Sequence, residues 1–329
     1  MDSNTSSIGR ERFTFFLNKV QIILDRANKS ENAALLVYQE NVRTPFFMLE
    51  ALTRIYKKIY GKKVFKKLNC YFKEIEDSLG SIDYYDGFYK EFITKKNIPS
   101  FIIDSLLQKK NEHVTDLNKL LVKNKWIGKN QKRIRKILKN LDKVSWLPDT
   151  ADTLEVKKVY RNCISVIIDD FKTGNIQFKN IEPDVHELRR ELRWLSIYPQ
   201  ALNGLVQLMA NAQSPEVLRK YLTTEIITSP YNVMPDGTKL QDHIILNANF
   251  LYALSWIIAE LGKLKDNGLK VIIIKDTLIE GLNITQHQAE ELAYSICGET
   301  QMRIPDILER SKIITTTFFK ENILENLVC

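Results

Sequence analysis

Glycine and proline are scarce in this 329-residue chain, at 12 and 9. That leaves little material for the many tight turns of an all-β fold. No run approaches the 18 or so apolar residues of a membrane span, and the N-terminus, Met-Asp-Ser-Asn-Thr-Ser-Ser, lacks the basic-then-apolar order of a secretory signal. The four cysteines (Cys70, Cys163, Cys297, Cys329) have neither zinc-finger spacing nor the density of a disulfide framework. A reducing, cytoplasmic setting suits them best. His113, His186, His243 and His287 are too dispersed for a His-x-x-x-His metal pair. Gly-x-x-x-x-Gly-Lys-(Ser/Thr) and Gly-x-Ser-x-Gly are both missing. Asp169-Asp170 are helix neighbours pointing about 100° apart, and Pro235-Asp236-Gly237 is a turn without the further oxygens of a calcium loop. These absences argue against an enzyme and against a bound cofactor or metal.

What is present is helical periodicity, with 44% apolar and 27% charged residues, enough for a sizeable core. The spacing predicts helices over 10–28, 31–43, 46–60 after a break at Pro45, 63–79, 84–95, 99–122, 130–143, 152–173, 184–198, 239–264, 285–297 and 304–325. Val271-Ile272-Ile273-Ile274 reads equally as a strand or as a buried helix start ending near Gly281. The clearest loop is 229–237. The class is all-α.

Charge is unevenly spread. Residues 1–150 hold 29 Lys+Arg against 17 Asp+Glu, a net of +12, and residues 151–329 hold 19 against 23, a net of −4. Two clusters carry the excess: Arg54 to Lys67, which includes Lys58 and Lys62, and Lys119 to Lys143. In the second, Lys132, Arg135, Lys136, Lys139 and Lys143 form a basic stripe, while Ile134, Ile137, Leu138 and Leu141 form the apolar one. An exposed lysine face is often no more than a solvated surface.

The most informative stretch is 184–198. His186, Arg189, Arg190 and Arg193 fall at i, i+3, i+4 and i+7 on one face, and Val185, Leu188, Leu192 and Leu195 on another. Asp184 followed by Glu187 reads as a capping box. Clustered cations repel, so they need an anionic counterpart, either acids of the same fold or a bound polyanion. A weak repeat accompanies them. Leu79-Gly80 follows Val37 by 42 positions, and Leu261-Gly262 follows Val185 by 76, an insertion of about 34 best placed around 213–238.

The 184–198 helix resembles the histidine-bearing helix of the CHAD family (conserved histidine α-helical domain), His-x-x-Arg-x-x-x-(Lys/Arg)-Arg-x-(Arg). His186, Arg189 and Arg193 match, and Trp194 and Ser196 stand at later basic positions. The first-half counterpart falls on Tyr38 to Met48, with Tyr38 for the histidine, Asn41 for an arginine, and Pro45, Phe46 and Met48 for the other basics. Residues 79–86 are similar to the family's Leu-Gly-x-x-Arg-Asp-x-Asp. The resemblance covers about residues 10–265 and implies two pseudo-symmetric helical bundles, about 10–150 and 151–265. These would flank a basic cleft that binds inorganic polyphosphate without catalysis. A polyanion there would meet His186, Arg189, Arg190 and Arg193, faced by Lys132, Arg135, Lys136, Lys139, Lys58 and Lys62, with little from Tyr38–Met48. Residues 1–9 would be disordered, and 266–329 a helical extension open to a protein partner. A helical interaction scaffold and a generic nucleic-acid binder are the alternatives.

Overall fold

The computed structural model describes residues 7–61, 63–129, 131–210, 215–238 and 240–329. The fold is all-α. The helices are α1 (Ile8–Ala27), α2 (Ala33–Gln39), α3 (Arg43–Tyr60), α4 (Lys63–Phe92), α5 (Ser100–Lys123), α6 (Lys132–Leu141), α7 (Asp149–Lys172), α8 (Glu187–Ala201), α9 (Thr224–Ile227), α10 (Ala248–Gly281), α11 (Gln286–Cys297) and α12 (Ile304–Lys320). The only strands among the described residues are β1 (Val206–Met209) and β2 (Ile244–Asn247), which pair in parallel. Among the described residues no helix is long and apolar enough to cross a membrane.

Several element boundaries differ from the periodicity for identifiable reasons. Pro45 sits in the first turn of α3, where its missing N–H has no intrahelical partner to lose. The segments 63–79 and 84–95 merge into the single 30-residue α4. Gly80 lies inside it rather than in a turn. Likewise Val271–Ile274 lie within α10, and a strand occupies 244–247, where helix was expected. Gly268 of α10 is pressed by Ile181, whose Cδ1 would lie 2.8 Å from an added Cβ. Gly80, Gly262 and Gly268 mark close approach inside helices, not helix ends.

The 184–198 helix begins earlier than its expected capping box. Residues Ile181–His186 form a π-helical turn that runs into α8. The Asp184 carboxylate accepts from the Lys179 and Asn180 N–H groups at 2.7 and 2.8 Å. It therefore closes the entry to the π turn, while Glu187 pairs with Arg190 at 3.2 Å. The N-terminus also differs from expectation. Residues 1–6 lie outside the described residues, but α1 starts at Ile8, and Gly9 is buried against Trp146 and Tyr56.

Two hydrophobic cores organise the molecule. The larger gathers α1, α3, α6, α7, α8, the start of α10 and the end of α12, around Phe13, Phe46, Tyr56, Phe65, Trp126, Tyr160 and Phe318. The smaller lies around Phe92, Ile102, Leu106, Ile274, Ala293 and Ile307. α10 spans both. The boundary expected at 265 falls inside it, and the one at 150 inside α7. Residues 266–329 are built into the fold, with Ile307, Phe318, Leu324 and Leu327 buried. The C-terminus joins the sheet through Leu246 and Val328, and Cys329 N–H donates to Ile245 O at 3.0 Å.

Candidate functional site

A cleft runs between α3 and α4 on one side and α8 and α10 on the other. Its lobes have volumes of about 690, 570 and 480 Å³, and all three are lined by Arg43 and Arg193. Val185, Leu188, Leu192 and Leu195 are buried in the large core. That burial turns His186, Arg189, Arg190 and Arg193 toward the cleft, half-buried, as their separate stripe requires.

The four are not equivalent. His186 Nδ1 lies 2.9 Å from Glu182 Oε2, and this contact lowers the Glu182 pKa from its ordinary value. Arg190 pairs with Glu187. Neither Arg189 nor Arg193 is ion-paired with a carboxylate among the described residues. Arg189 Nε donates to the Ile258 carbonyl at 3.1 Å, and burial lowers its pKa. The Arg193 guanidinium lies 4.5 Å from the centre of the Phe47 ring. Its pKa is pushed down to about 10, first by burial and then by repulsion from Arg189 and Arg43.

Arg43 is the cleft residue that the sequence reading overlooked. It donates through Nε to Glu76 at 2.9 Å, pairs with Asp83, and stands 5.1 Å from the centre of the Phe47 ring. It packs over Gly80, where an added Cβ would lie 2.6 Å from Arg43 Nη2. Arg189 packs over Gly262 in the same manner, with its Nε 2.9 Å from such a Cβ. Arg43, two residues beyond Asn41, and Arg189 thus each cover a helix glycine at the cleft. The Tyr38–Met48 stretch therefore does contribute a cation, although acids already claim it. Tyr38, aligned with the family histidine, donates to Asp86 at 2.6 Å and ties α2 to α4.

The other expected site residues lie elsewhere. α6 buries Ile134, Ile137 and Leu141 and packs on α1. Its opposite stripe, Lys132, Arg135, Lys136 and Lys139, is consequently exposed, and none of these lines the cleft. Lys58 is also exposed, with its Nζ 3.3 Å from Cys163 Sγ. Lys62 lies outside the described residues. The cleft is of mixed charge rather than basic. Glu50, Glu76, Asp77, Asp83, Glu91, Glu182, Glu225, Asp266 and Asp276 outnumber Arg43, Lys73, Arg189, Arg190, Arg193 and Lys265 on its walls.

No family model, curated protein or solved structure matches the chain. Arg189 and Arg193 stand on adjacent turns of α8 without an ion pair among the described residues, although Asp266 and Glu76 act on them from farther off, and their donors suit one tetrahedral oxyanion.

Proposed function

We propose that the protein is a non-catalytic, cytoplasmic anion-binding module that holds a phosphate group on Arg189 and Arg193. Inorganic polyphosphate is the ligand class that the CHAD resemblance implies. The observation that carries this reading is that, among the described residues, neither arginine is ion-paired in a cleft where carboxylates abound. Partly desolvating an unpaired cation is costly, and a bound phosphate would offset that cost with charge-assisted hydrogen bonds. The wall carboxylates would repel a long polyphosphate run, so a short stretch or chain end is the segment that enters.

Calorimetric titration of tripolyphosphate and long-chain polyphosphate at two salt concentrations tests this. Both should bind with similar affinity per site. The R189A/R193A double variant should lose about 1.5–3 kcal/mol per strong charge-assisted contact, with a shallower salt dependence. Unchanged affinity in that variant would refute the proposal.

A further inference from the structure

The lobe of about 570 Å³ between α3, α8, α10 and the 225–231 segment is amphipathic. Arg189 and Arg193 lie on one side, and Phe47, Met48 and Ile258 form apolar walls. At its rim Tyr231 is 81% exposed. That exposure does not come from a loose loop. Gln200 Nε2 donates to the Tyr231 and Val233 carbonyls at 3.2 and 2.8 Å. The adjoining Asn232 is buried, donates to Ile226 O at 2.8 Å and accepts from Ser255 Oγ at 2.5 Å. The backbone is pinned from below while the ring is held out in solvent beside a pocket, an arrangement that leaves an aromatic face free for stacking.

We infer that this lobe binds a phosphate monoester carrying an aromatic body, its phosphate on Arg189 and Arg193 and its ring against Phe47, Met48 and Ile258 beneath Tyr231. The inference rests on the phosphate reading above and narrows it, because inorganic polyphosphate has no apolar part to cover these walls. The volume suits a body up to the size of a nucleoside.

Phenyl phosphate and inorganic phosphate, each titrated calorimetrically into the full chain, separate the two claims. Phenyl phosphate should bind at least tenfold more tightly than inorganic phosphate. Y231A should shrink that advantage severalfold and leave inorganic phosphate affinity unchanged, while R193A should weaken both ligands. Tyr231 is exposed, so its replacement leaves the core intact. Equal affinity for the two ligands would overturn this inference and leave the phosphate reading standing. Binding of neither would overturn both. Capture by vesicles of phosphatidic acid in phosphatidylcholine that phenyl phosphate does not displace would assign the lobe to a lipid headgroup and overturn the aromatic assignment.

Discussion

Gly80 and Gly262 each lie beneath an arginine, and that contact decides where a guanidinium can sit in the cleft. Replacing Gly262 with alanine adds a Cβ 2.9 Å from Arg189 Nε, so the side chain must shift. Alanine also favours the interior of α10 by about 1 kcal/mol. G262A should therefore keep or raise the melting temperature while weakening tripolyphosphate binding severalfold, read by thermal denaturation and titration on the same sample. A parallel loss of stability and binding would mean that the glycine serves packing alone. At this scale the sequence was legible in part. The stripe of 184–198 set Arg189 and Arg193 on a face apart from the buried leucines, and both line the cleft. It did not reveal which two would lack acids, because Glu182 reaches His186 from inside the preceding π turn. Arg43 was missed because the two halves were matched through Val37 and Val185. That match set Asn41, not Arg43, against Arg189, yet it is Arg43 that lies over Gly80 as Arg189 lies over Gly262.

Between elements, the periodicity located the long helices and the opposite faces of α6 and α8. It could not say which face meets which neighbour. α6 packs its apolar stripe on α1, so its bases face solvent, and a K132Q/R135Q/K136Q/K139Q variant should bind tripolyphosphate within twofold of the parent. A tenfold loss in titration would return α6 to the site. A different link, invisible to periodicity, joins α1 to α7. Arg12 Nη1 reaches Asp152 Oδ2 at 2.5 Å and the Tyr56 hydroxyl at 2.6 Å, with both charged side chains 2% or less exposed. Removing one partner strands the other in the core, so D152A should cost about 3–5 kcal/mol in urea unfolding. A loss below about 1 kcal/mol would show that water replaces the missing carboxylate.

Over the whole molecule, composition sufficed for the all-α class but not for its division. The long α10 serves both cores, and a helix crossing a boundary leaves no mark in composition. The +12 excess of the first 150 residues was taken as lining for a cleft, yet much of it lies on outer faces, and acids from both halves line the cleft instead. One of the acids bridging elements gives a pH signature. Burial alone would raise the Asp86 pKa, but hydrogen bonds from Lys110, Lys90 and Tyr38 outweigh it and hold the group down to about 2. A carboxylate whose pKa is depressed by folding stabilises the native state above its unfolded value near 3.9, and that contribution is lost as pH falls toward about 2. D86N should flatten the fall in urea stability across that window, and an unaltered profile would exclude Asp86 as its source.

In the proposed function, Arg193 stays charged, half-buried and without an ion pair because a phosphate completes it. Its depressed pKa means that folding opposes its charge, so without an anion an apolar side chain of similar length should cost less there. The direct measurement is the melting temperature of the parent and of R193M, each with and without saturating tripolyphosphate. R193M should melt higher than the parent without ligand and gain little from tripolyphosphate, while the parent gains several degrees. A variant that melts lower than the parent yet keeps the full ligand-induced rise would contradict the proposed function.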